Sequence, residues 1–158
     1  MAKILSIVTH PDPILREKSR PLDKKQILSD DFKKLCADMA LTMKEEDGIG
    51  LAAPQIGQNI RLIVVNTDDG PLCMINPVIK KRSMLMEWGE EGCLSIPGVF
   101  GEVKRHRWIR CQFINLEGRT VSIKARKLLA RVIQHEIDHL DGILFIDKAK
   151  NITTEQKK

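Results

Sequence analysis

The 158-residue chain contains no tyrosine, and aromatic residues make up only 4% of it. Its core must therefore rest on Ile, Leu, Val and Met. No stretch approaches the roughly 20 apolar residues of a membrane-spanning helix, so no membrane partner is expected. The opening residues, Met1 to His10, lack the length and cleavage pattern of a signal peptide. They also lack the Arg- and Ser-rich bias of a transit peptide, and the expected compartment is cytoplasmic. Four cysteines are present (Cys36, Cys73, Cys93 and Cys111), with no CxxC among them. That excludes a zinc ribbon and argues against a disulfide scaffold. There is no internal repeat, linker or low-complexity tract.

What is present is an ordinary globular balance, 42% hydrophobic and 30% charged, enough for one core in one domain. The net charge is +5. A basic balance admits a polyanion such as RNA or the ribosome, but extra surface lysines account for it more readily. Cys36, Cys73 and Cys111 lie in apolar runs and read as small buried side chains. Cys93 does not lie in such a run.

Asp12 and Pro13 read as the N-cap and first position of a helical turn. Leu28, Phe32, Leu35, Cys36, Met39 and Met43 recur at helical steps, which predicts a helix over 29–46 closed by Gly48. The segment 48–57, with Gly48, Gly50, Pro54 and Gly57, is expected to be irregular, neither helix nor interior strand. Strands are expected over 61–66, 72–75, 78–88, 103–115 and 120–124, the last two forming a hairpin through Glu117-Gly118. A helix over 127–141 should stop at Gly142. A short closing strand over 143–146 and a polar, frayed tail over 148–158 complete the reading. Strands clustered between two helices indicate an α+β fold.

The strongest chemical signal is His135-Glu136-Ile137-Asp138-His139, an HExxH. Two histidines four apart on a helix lie about 40° apart, so both imidazoles can reach one divalent metal. Glu136 lies about 100° round from His135, placed to reach a metal-bound water without being a ligand. Leu128 and Val132 share the histidine stripe, while Leu129, Ile133, Ile137 and Leu140 form an apolar stripe opposite. Only Gln134, Asp138 and Asp141 make a polar strip, so this helix is expected to be central and buried. No histidine follows His139, which removes the usual third ligand of HExxH peptidases. Upstream, Glu91-Gly92-Cys93-Leu94-Ser95 offers a thiolate that could join two imidazoles around Fe²⁺ or Zn²⁺. On these residues alone, a metallopeptidase and a non-catalytic structural metal site stay open as alternatives.

Three segments taken together resemble the peptide deformylase family: Gly48-Ile49-Gly50-Leu51-Ala52-Ala53-Pro54-Gln55, Glu91-Gly92-Cys93-Leu94-Ser95 and Gln134-His135-Glu136-Ile137-Asp138-His139. The resemblance runs from Asp12-Pro13 to about Asp147. It implies one compact catalytic domain over 1–147, with mostly antiparallel β-sheets around a central HExxH helix. It implies one metal ion held by Cys93, His135 and His139, natively Fe²⁺, with Zn²⁺, Ni²⁺ or Co²⁺ also accepted by such ligands. Glu136 would be the acid/base for attack of metal-bound water on the formyl carbon. The Gln55 amide and Leu94 N–H would receive the oxyanion. Gly50 and Ile49 would lie along the substrate, and Leu128 and Val132 would line the methionine pocket. The implied substrates are N-formylmethionyl peptides, with transient ribosome association, no specific nucleic acid, a monomeric state and formate as product. One departure stands out: the family often has a small residue or Gly near Lys127, so the helix start is expected to differ here.

Overall fold

The run Leu62 to Val65 is apolar at every position because both of its faces are covered. In the computed structural model, which describes residues 1–155, this run opens strand β2 (Leu62–Thr67). Ile63 and Val65 pack toward helix α3 (Lys127–Leu140), while Leu62 and Val64 pack toward helix α2 (Asp30–Glu45). The two helices thus sandwich one sheet. That sheet has the order β1-β2-β3-β6-β7 and every pair in it is antiparallel. Its other members are β1 (Gly50–Ala52), β3 (Gly70–Arg82), β6 (Trp108–Ile114) and β7 (Thr120–Arg126). A second antiparallel sheet, ordered β4-β5-β8, contains β4 (Met86–Cys93), β5 (Ile96–His106) and β8 (Lys150–Thr154). A four-residue helix, α1 (Lys24–Ile27), precedes α2. This is the α+β arrangement around a central HExxH helix.

The helix predicted over 29–46 forms with Ser29 as N-cap, its hydroxyl accepting from the Phe32 N–H at 3.2 Å. Asp12 caps a 3-10 turn over Pro13–Arg16. Other expectations are corrected. The segment 48–57 is not wholly irregular: Gly50–Ala52 pairs with β2, and Ala53–Ile56 forms a 3-10 turn whose Gln55 accepts from the Ala52 N–H. The expected strands over 72–75 and 78–88 are one strand to Arg82 and another from Met86. Asn76 and Pro77 only bulge the first, and Asn76 turns its amide outward to pair with the Leu22 backbone. The expected 103–115 strand is two strands that change sheet at Arg107, and β5 begins earlier, at Ile96. Phe145–Asp147 is a 3-10 turn rather than a closing strand. The polar tail is not frayed from residue 148, because β8 adds to β5 at Val99, Phe100 and Glu102.

α3 is fixed on all sides. Ala130, Ile133, Ile137 and Leu140 are buried against the five-stranded sheet. Gln134, on the polar strip, exchanges hydrogen bonds with both the N–H and C=O of His106 at the end of β5. Asp141 meets Arg61 at 3.1 Å. The two ends of α3 differ. At its start Lys127 holds φ +54°, a left-handed backbone that an L side chain strains to adopt. At its close Gly142 holds φ +74°, and a Cβ there would sit 2.5 Å from the Arg16 carbonyl oxygen. Opposite substitutions should move stability in opposite directions in urea titrations. Gly142→Ala should cost about 2–3 kcal/mol, and Lys127→Gly should gain about 1 kcal/mol. Equal stability of Gly142→Ala and wild type would show that the contact with Arg16 relaxes freely.

Candidate active site

Cys93 ends β4, where the ladder to β5 slips by a bulge between Gly92 and Cys93. The slip lets the chain turn through Leu94-Ser95 and aims the thiol at α3. There Cys93 Sγ lies 3.3 Å from His139 Nε2. Ligating atoms of Cys93, His135 and His139 all lie within 4.8 Å of one another. No fourth His, Cys, Asp or Glu joins this cluster among the described residues. Glu136 stands beside it, with Oε2 4.0 Å from His135 Nε2.

The orientation of His135 is set by Glu91. Its Nδ1 lies 2.9 Å from Glu91 Oε1, which leaves Nε2 to face the cluster. Glu91 also accepts from Arg105 Nε and Nη2 at 2.9 and 2.8 Å and from Arg131 Nη1 at 2.7 Å. Burial would raise the Glu91 carboxyl, but hydrogen bonds and charge from Arg105 and His135 hold it well below the usual carboxylate range. Burial alone would lower His135. The charge of Glu136, the Cys93 sulfur and Glu91 instead raise it to about 10. Burial and the charges of His135 and Arg105 hold His139 well below its usual value. Burial pushes Glu136 up to about 7. Two buried atoms beside the cluster, Glu136 Oε1 and His139 Nδ1, have no hydrogen-bond partner among the described residues.

A cleft of about 620 Å³ opens onto this cluster. The residues expected to matter from the sequence come together there: Ile49, Gly50, Gln55, Cys93, Leu94, Leu128, Val132, His135 and Glu136 all line it, and His139 closes its inner end against Cys93. Ile49 and Leu128 are about half exposed, at 48% and 60%, so they belong to the cleft wall rather than the core. Val132 is buried. Gln55 is held at both ends. Its Oε1 accepts from the Ala52 N–H at 2.9 Å, so Nε2 must point inward, where it donates to Cys93 Sγ at 3.4 Å and Ser95 Oγ at 3.1 Å. Gly50 allows close approach: a Cβ there would lie 2.6 Å from Glu136 Oε2 and 2.7 Å from Val132 Cγ1.

Sequence reasoning missed the supports. In the sequence alone Glu91 is only a neighbour of Cys93, and nothing singles out Arg105 or Arg131. The signal for Arg105 was a charged residue at an inward position of a strand, between the alternating Val103 and the turn at Arg107. Without the register of β5, that position could not be told from an outward one.

Residues 4–155 match the family model for polypeptide deformylase. A peptide deformylase of Desulforudis audaxviator is 45% identical over 150 residues, covering 94% of this chain and 96% of its own. Among solved structures, peptide deformylase from Thermotoga maritima superposes with a TM-score of 0.89 at 39% identity, covering 93% of this chain and 98% of that one. A Met-Ala-Ser-bound peptide deformylase from Acinetobacter baumannii superposes with a TM-score of 0.88 at 33% identity, covering 94% and 99%. The chain belongs to the polypeptide deformylase family.

An enzyme of this family with a thiol and two imidazoles converging has a donor set suited to a divalent ion of intermediate softness. The geometry at Glu91 makes a direct prediction. Glu91→Gln should lower the affinity of the Cys/His/His cluster for Zn²⁺ by about 10- to 100-fold, measured by competition with a chelator. Unchanged affinity would mean that the Glu91–His135 contact does not orient the imidazole.

Proposed function

We propose that this enzyme hydrolyses the N-formyl group from N-terminal formylmethionine, releasing formate, with one divalent metal held by Cys93, His135 and His139. The observation that carries the reading is the convergence of those three donors at the inner end of a cleft, with Glu136 beside them. Such an ion supplies Lewis acidity, which makes hydroxide available from water near neutral pH and polarises the formyl oxygen. Fe²⁺ is the native choice in this reading, and Zn²⁺, Ni²⁺ and Co²⁺ fit the same donors.

Glu136 is the acid/base. Buried and pushed up to about 7, it can take a proton from the attacking water and deliver it to the departing amine. Gln55 presents its amide hydrogens from a pose fixed by the Ala52 N–H, and with the Leu94 N–H it would receive the oxyanion as it develops. The Gln55 pose is fixed in advance, and its amide would exchange the contact with Cys93 Sγ for the oxyanion. Gly50, on an edge strand, lets an extended peptide approach the backbone, and Ile49, Leu128 and Val132 offer apolar wall for the methionine side chain. The Met-Ala-Ser bound to the Acinetobacter baumannii relative has the form of the product such a reaction leaves. The proposal extends to a cytoplasmic, monomeric enzyme that meets its substrates in transient association with the ribosome.

Formate release from a short formyl-Met peptide tests the reading, using protein purified anaerobically with Fe²⁺. Glu136→Gln should bind the metal and release no formate above background. Gln55→Ala should retain the metal and lose roughly 100- to 1,000-fold in kcat. Wild type exposed to air should lose activity as the iron-bound thiolate oxidises. Full activity of Glu136→Gln would remove it as the acid/base, and equal activity after aerobic and anaerobic handling would remove iron as the working metal.

A further inference from the structure

The face of the five-stranded sheet that α2 covers at β1 and β2 is left open at β6 and β7. Along that open part the outward residues are Trp108, Arg110 and Gln112 on β6 and Thr120, Ser122, Lys124 and Arg126 on β7, and none of them is acidic. The inward ones, Ile109, Cys111 and Phe113, are buried toward α3. The register places Lys81 of β3 opposite Arg110, and Arg110 opposite Lys124. Three like charges thus stand in a row across three adjacent strands, all exposed. Adjacent strands lie about 4.8 Å apart, well inside a Debye length of about 8 Å. Directly opposed like charges oppose pairing. None of the three has a carboxylate partner among the described residues.

The row leads into a hollow of about 690 Å³ beside the first turn of α3. Arg107, Lys124, Arg126 and Lys127 line it, with Trp108 in its wall and Lys124 Nζ 4.5 Å from the Trp108 ring centroid. Its one carboxylate, Glu87, lies 3.6 Å from Arg107 and offsets a single charge. The cation at Lys127 is kept at a left-handed φ of +54°, where glycine would be unstrained. Repulsion and strain in one patch are costs without a return inside the fold.

We infer that this face binds the phosphate backbone of single-stranded RNA. The charge row matches a polyanion, and a flexible strand can follow a sheet face into a hollow, which a flat bilayer cannot. Phosphate contacts of this kind are insensitive to sequence and weakened by salt. The hollow adjoins the catalytic cleft, since Lys127 lines one and Leu128 the other. The inference does not rest on the deformylation reading, because none of these side chains takes part in that reaction.

The test is fluorescence polarisation of the metal-loaded, full-length enzyme with a labelled RNA of about 20 nucleotides, long enough to span such a groove, between about 50 and 200 mM KCl. The triple substitution Lys81→Gln, Arg110→Gln, Lys124→Gln should weaken binding at least tenfold and flatten the log–log salt slope by about 2. Lys18→Gln, Lys104→Gln, Lys150→Gln removes the same charge from the N-terminal segment and the other sheet, and should weaken binding far less. Formate release from a short peptide, equal in both variants and wild type, would certify folding. Equal losses of RNA binding in the two variants would reduce the effect to net charge and overturn the inference. So would the absence of RNA binding by wild type, or capture by phosphatidylserine–phosphatidylcholine vesicles alone that the first triple variant abolishes.

Discussion

Glu91 is one carboxylate shared by two guanidinium groups and an imidazole. Arg105 grips it with two nitrogens, Arg131 adds a third contact, and His135 leans on it through Nδ1. Those contacts bind β4 to β5 and both to α3. Through Arg105 the network reaches Asp138 on the next turn of the helix, and Lys148 meets Asp138 from beyond it at 3.0 Å. Buried ion pairs give little net stability, because desolvation consumes most of the attraction. What this one fixes is position. Because α3 is held to the three-stranded sheet at Glu91 and to the five-stranded sheet by its apolar stripe, the histidines of the helix and the cysteine of β4 are brought to one point.

The second constraint is closeness. Glu136 can stand beside the cluster only because the chain at Gly50 has no side chain to displace it, and the same absence leaves an edge strand open to a peptide. Gln55 belongs to this logic too. It sits on the 3-10 turn following that strand, and the turn itself locks its amide. The strand edge at Gly50, the Gln55 amide, Glu136 and the Cys93/His135/His139 cluster thus derive from three short segments.

Much of this was legible before any coordinates. The two long helices, the hairpin from β6 to β7 and the α+β class follow from period and turn chemistry, the antiparallel sheets from the family resemblance, and the residues expected at the cleft from three motifs and the histidine stripe. What was not legible is instructive. Asn76-Pro77 looks like a strand end, because nothing local reveals that the Asn76 amide is captured by Leu22 across 54 positions. The start of β5 at Ile96 is hidden by Pro97, Gly98 and Gly101, which weaken any strand signal. The polar residues after Lys148 carry no apolar pattern, yet β8 forms because β5 offers an edge. Glu91, Arg105 and Arg131 escaped because an ion pair is a property of register, and register is set by the whole sheet.

Formate release should depend on one ion held by Cys93, His135 and His139. Metal content and formate release should be titrated together on metal-stripped protein, wild type beside Cys93→Ala. Activity should rise in proportion to bound metal and level at one ion per chain, with Cys93→Ala failing to retain the ion and failing to turn over. Retention of a full equivalent by Cys93→Ala, or turnover that does not track bound metal, would contradict it.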